Sequence, residues 1–97
     1  MSNSKGGLND IHIRRINIPP QVISDIKSLE KDIPRIGGAI QGLYTFLGYR
    51  AHEGATYKQF CFYEFGGYED VPLLECCYSY NDDVVDVSSI TIVDDQS

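Results

Sequence analysis

"YKQFCFYEF", residues 57–65, decides the fold. Upstream of it the apolar residues recur every three or four positions, whereas from Tyr57 onward they recur at every second one. An extended chain there puts Tyr57, Gln59, Cys61, Tyr63 and Phe65 on one face, with Lys58, Phe60, Phe62 and Glu64 on the other. "GGYEDVP" (66–72) is a turn region rich in Gly and closed by Pro. "LLECCYSY" (73–80) is a second strand and "NDD" (81–83) is turn chemistry. "VVDVSSITIV" (84–93) is a third strand dominated by β-branched residues. Consecutive strands with short connections predict an antiparallel meander.

Working back toward the N-terminus, "PRIGGAIQGLYTFLG" (34–48) places Ile36, Ile40, Leu43 and Leu47 at a 4-3-4 spacing, which predicts a helix with Gly48 as its C-cap. Gly37, Gly38 and Gly42 each lower helix propensity by about 1 kcal/mol relative to Ala. Close packing of the helix on the sheet is the expected reason for them. Before Pro34, "PPQVISDIKSLEKD" (19–32) starts with a proline suited to the first helical turn. It carries a stripe of Val22, Ile23, Ile26, Leu29 and Ile33. "DIHIRRINI" (10–18) reads as a strand whose alternation breaks at Arg14-Arg15, which implies a bulge or burial on both faces. The resulting expectation is an α+β domain over 10–95 with the order β-α-α-β-β-β. Two helices pack on one face of a four-stranded, mainly antiparallel sheet whose other face is partly solvated. Residues 1–9 are expected to be a flexible leader.

The chain has 97 residues, of which 42% are hydrophobic: one domain's length, with a modest core and no Trp. Its three cysteines, Cys61, Cys76 and Cys77, are an odd set with an adjacent pair, a poor disulfide framework. Small buried thiols in a reducing cytoplasm are the expectation. No polar-to-apolar signal pattern or membrane-length apolar run is present in the sequence, so neither secretion nor membrane partnership is expected.

The net charge of −6 is distributed unevenly. Through Lys58 there are eight basic and five acidic residues, a balance of +3. From 59 to 97 there are nine acidic residues and no Lys or Arg. Those acids are Glu64, Glu69, Asp70, Glu75, Asp82, Asp83, Asp86, Asp94 and Asp95. Folding can interleave the halves and cancel part of the field, but the C-terminal segment cannot neutralise itself. Its field draws positive partners and repels nucleic acid.

Catalytic and metal chemistry find little footing. "DDVVD" (82–86) lacks the alternating oxygens, central Gly and closing Glu of an EF-hand loop. The cysteines and the distant His12 and His52 form no zinc spacing. The glycines of 37–42 match neither phosphate-binding motif. Paired carboxylates such as Glu64 with Glu75 are expected to be solvated surface rather than hydrolytic machinery. The chain therefore reads as a non-enzyme without cofactor, metal or small-molecule substrate.

The element order over 10–93 resembles that of the RelE/ParE superfamily of small toxins. The RelE-type ribonucleases among them hold and cleave RNA with basic and aromatic groups on the sheet and C-terminal segment. This chain has Tyr63, Tyr78 and Tyr80 there but no Lys, Arg or His after Lys58, so the expectation is the fold without ribonuclease activity. In size and charge the whole chain resembles phage-encoded anti-CRISPR proteins and other DNA mimics. That resemblance implies a cytoplasmic inhibitor that occupies the basic, nucleic-acid-binding surface of a protein or ribonucleoprotein complex and binds no nucleic acid itself. The residues matched to that role are the nine acids above, with Tyr57, Tyr63, Tyr68, Tyr78 and Tyr80 as anchors and Tyr78 and Tyr80 foremost, since Tyr is favoured at interfaces. An immunity or antitoxin-like protein that neutralises one basic toxin is the alternative. Arg14 and Arg15 either hold the acidic sheet internally or touch a second surface.

Overall fold

The computed structural model describes residues 13–68 and 70–93. The elements are β1 (Arg15–Asn17), α1 (Pro20–Asp32), α2 (Ile36–Arg50), one 3-10 turn (Ala51–Glu53), β2 (Ala55–Tyr57), β3 (Phe60–Tyr68), β4 (Val71–Tyr80) and β5 (Val84–Ile92). The strands form one sheet in the order β1-β5-β4-β3-β2. β2 through β5 are an antiparallel meander, and β1 lies parallel to β5.

The protein is therefore α+β with two helices, but its sheet is five-stranded and mixed rather than four-stranded. The additional strand comes from "YKQF" (57–60). Lys58 and Gln59 form a two-residue turn, with Lys58 at φ 58°, so Tyr57 pairs with Phe60 across a hairpin. Tyr57 thus shares a face with Phe60 and Phe62, not with Cys61. In "DIHIRRINI" the described strand is short, and Ile11 and His12 lie outside the described residues.

Pro20 opens α1, and the Ile23 N–H donates to the Pro19 carbonyl at 3.0 Å. Val22 and Ile26 are buried in the core, with Leu29 and Ile33 packed at its margin. Ile23 of the expected stripe is exposed instead. Pro34 falls in the turn between the helices, where its missing N–H does no harm. In α2 the residues Ile36, Ile40, Leu43 and Leu47 are all buried, as their spacing requires. The helix runs on to Arg50, so Gly48 is an interior residue and not a cap; its carbonyl accepts from the Arg14 N–H at 2.9 Å. Gly37, Gly38 and Gly42 face outward, and a methyl added to any of them would meet nothing within 4 Å. Close helix-on-sheet packing does not explain them.

α1 packs against β5, and α2 against β3 and β1. The covered sheet face contributes Cys61, Phe65, Leu74, Cys76, Tyr78, Val85, Val87 and Ile90 to the core. A bulge at Ser88 lets the last of these stay inward: Tyr78 pairs with Val87 but Cys77 with Ser89. Positive φ at Gly66 (79°) and Gly67 (76°) bends the end of β3, a conformation that glycine adopts without steric penalty.

Candidate interaction surface

The side of the sheet away from the helices is the open face. Along β4 it presents Glu75, Cys77 and Ser79. Their direct neighbours are Glu64 and Phe62 on β3 and Thr91, Ser89 and Asp86 on β5. Phe60 and Tyr57 extend it toward β2, and Asn17 toward β1. The cause is strand parity: residues one apart point to opposite faces.

Glu64 and Glu75 face each other across β3 and β4. Like charges directly opposed in a sheet destabilise it. Among the described residues no cation forms an ion pair with either of them. Asp86 is the third open-face carboxylate, and its Oδ1 accepts from the Asn17 amide at 2.8 Å. Beside these acids lie the half-buried rings of Phe60 and Phe62 and the 67% exposed Tyr57. The Lys58 ammonium sits 5.4 Å from the Tyr57 ring.

The other acids matched to the site lie elsewhere. Asp82 and Asp83 are the two central residues of the β4–β5 hairpin turn. The Asn81 side-chain oxygen accepts from the Asp83 N–H at 2.8 Å and the Val84 N–H at 2.9 Å. Arg14 and Arg15 sit at this tip. The Arg14 guanidinium donates to the Asn81 carbonyl at 2.7 Å and lies over the Tyr80 ring at 4.8 Å. The Arg15 N–H donates to the Asp83 carbonyl at 2.9 Å. Asp70 is at the opposite end of β4, 3.7 Å from Arg35. Glu69, Asp94 and Asp95 lie outside the described residues, as does the leader at 1–9. The fold therefore brings Glu64, Glu75 and Asp86 onto one face, and sets cations from the N-terminal half beside both hairpin ends.

Tyr78 does not belong to the surface. It points to the helices, is fully buried, and donates its hydroxyl to the Ala51 carbonyl at 2.5 Å. Burial, aided by nearby Cys61, pushes its phenol well above the ordinary value. Tyr80 has the same parity and is 38% exposed under Arg14, near the hairpin tip. Tyr63 stacks on Phe46 with centroids 3.6 Å apart, also on the helix side. Glu75 and Tyr78 both stand out in the sequence as contact candidates, yet in the regular stretch of β4 between them odd and even positions point to opposite faces. Sequence reasoning passed over Phe60 and Phe62 as contacts, although their parity matches that of Glu64.

At the β2 edge an open cleft of about 450 Å³ lies between α2 and β3. Its lining includes Phe46, Arg50, Glu53, Gly54, Tyr63, Glu64 and Glu75. Arg50 is 3.9 Å from Glu53 and over the Phe46 ring.

The thiols are not poised for nucleophilic work. Burial pushes Cys76 up to about 12, with Cys77 and Glu75 adding to the shift. Burial also raises Cys61, and burial with Glu75 raises Cys77. Among the described residues no three His, Cys, Asp or Glu side chains are grouped as a metal ion requires. None of the described helices is long and apolar enough to cross a membrane. No family model, curated protein or solved structure matches the chain.

Proposed function

We propose that this protein is a non-catalytic inhibitor whose open sheet face docks on the basic surface of a partner protein complex. The observation that carries the reading is the Glu64–Glu75 pair: two carboxylates held face to face on a solvated sheet with no described cation between them. A partner that supplies the missing positive charge relieves that repulsion on binding. Electrostatic complementarity of this kind speeds encounter and sets specificity. Phe60, Phe62 and Tyr57 supply apolar area beside the acids, which suits a protein surface better than a pure imitation of phosphates. The cations at both hairpin ends weigh the same way, because they leave a compact acidic patch rather than a long acidic track. DNA mimicry in the anti-CRISPR manner is the stronger form of the proposal, and neutralisation of a basic toxin is its relative.

The test is recovery of a partner from a bacterial lysate, with and without nuclease, on immobilised wild type and on the variant Glu64→Lys/Glu75→Lys/Asp86→Lys. Wild type should retain a basic protein whether or not nucleic acid is digested, and release it as salt rises. The folded variant should lose it. Equal recovery by wild type and variant at low salt sinks the proposal. Target DNA should compete if the protein is a mimic, and should not if it neutralises a toxin.

A further inference from the structure

β3 has nine residues, but its outer neighbour β2 covers only Phe60–Phe62. After Ala55 is traced back to Gly54, the chain leaves the sheet for the 3-10 turn and α2. The cleft beside Tyr63 and Glu64 is the space that a longer β2 would have filled.

We propose that this uncovered edge of β3 accepts an extended segment of the partner as a sixth strand, with a lysine or arginine of that segment lying against Glu64 and Glu75. The inference rests on the basic-partner reading above and adds how the partner is held.

Backbone direction supports it. Tyr57 and Phe60 close a two-residue turn, and Ala55 pairs with Phe62 at the same parity. A methyl at Gly54 would sit 3.0 Å from the Phe62 carbonyl oxygen, which therefore points toward β2. The same alternation turns the N–H and C=O of Glu64 to the open edge, where no described backbone group bonds them. Unpaired strand edges are templates for added strands, and side chains of alternate residues then meet the two faces. On one face the added strand meets the Glu64–Glu75 pair. On the other it meets the stacked rings of Phe46 and Tyr63. The bend at Gly66 and Gly67 ends the usable edge, so the added strand is short.

Charge decides against a second copy as the occupant. Pairing β3 with another β3 would bring two Glu64–Glu75 pairs to one seam in a chain of net charge −6. A cationic strand avoids that seam, and the Arg50 guanidinium that also lines the cleft has Glu53 at 3.9 Å as its counter-charge.

The probe is the blocked peptide acetyl-Val-Lys-Val-Arg-Val-amide. Two backbone N-methylated versions accompany it, one methylated on the lysine and arginine and the other on the valines. Methylation removes strand hydrogen bonds on one edge while leaving the charge. The unmodified peptide should bind and slow hydrogen exchange of the Glu64 amide, and one methylated version should bind about tenfold more weakly. Glu64→Gln/Glu75→Gln should weaken the unmodified peptide. If both methylated versions bind as well as the parent, the edge proposal falls while the acidic-face reading stands. If no peptide binds, the edge proposal falls, and the lysate experiment decides the reading beneath it. Slowed exchange at Glu64 in a peptide-free dimer overturns the choice of occupant.

Discussion

The ring of Tyr78 fills the middle of the covered sheet face, and its hydroxyl satisfies the Ala51 carbonyl just where α2 ends. That contact also fixes the residue at 54. A Cβ there would run into the Tyr78 hydroxyl as well as crowd the Phe62 carbonyl, although the backbone at Gly54 (φ −69°, ψ 159°) suits any residue. Glycine is required there for space, not for conformation. Tyr78→Phe keeps the ring but leaves the buried Ala51 carbonyl with only the Gly54 N–H, at 3.4 Å, as donor. The expected loss is about 0.5–1.5 kcal/mol. It should be read as a lower urea midpoint at unchanged slope, and an unmoved midpoint would refute the role. In the sequence, Tyr78 and Tyr80 look alike as two tyrosines on one strand face. What separates them is which end of that face the helices reach, and that depends on packing between distant segments.

At the scale of elements, α2 keeps three glycines on its solvent side. A glycine in a helix interior costs about 0.5–1 kcal/mol relative to alanine, and Gly37 and Gly38, in the first turn, cost less than Gly42. Nothing stands within 4 Å of a methyl at Gly37, Gly38 or Gly42. The triple substitution to Ala should therefore raise the melting temperature by several degrees, roughly 4–8 °C for each kcal/mol gained. Calorimetry checks it, and a fall would refute the reading of these three positions as open to solvent.

Both helices, the meander and the NDD turn were legible because their periods and turn residues are strong local signals. β2 was not, because "YKQF" alternates as smoothly as a strand. The fold nevertheless turns at Lys58, a residue with no preference for positive φ. The parallel pairing of β1 with β5 left no mark either, since Arg15 and Val84 are 69 positions apart. Of the candidate surface, Glu64, Glu75 and Asp86 could be placed together by parity alone. The separation of Asp70 from Asp82 and Asp83 was legible too, because the turn regions 66–72 and 81–83 bracket the strand 73–80.

Across the whole molecule, the surface carries the charge while the core holds weak acids in their neutral forms. Cys76 is raised to about 12 and Tyr78 lies above its ordinary value, chiefly by burial. Tyr44 moves the same way, with Glu30 adding to burial. A folded-state value above the unfolded one means that the native state holds its proton longer. The associated stability is complete below the ordinary thiol value of 9.0 and is lost as pH climbs toward 12. The fall should approach about 1.4 kcal/mol per pH unit for each fully buried group. Urea titrations between about pH 8 and 10.5 should show it. Cys76→Ala should lower stability at pH 8 yet flatten the decline, and an unchanged slope would exclude the thiol as a source.

The first and last strands lie side by side and point the same way. The described chain therefore enters the sheet beside the β4–β5 turn and leaves it at the far end of β5. A force that draws the two ends apart runs along these strands rather than across them. It loads the pairs Arg15–Val84, Ile16–Val85 and Asn17–Asp86 together, in shear, instead of peeling them open one after another.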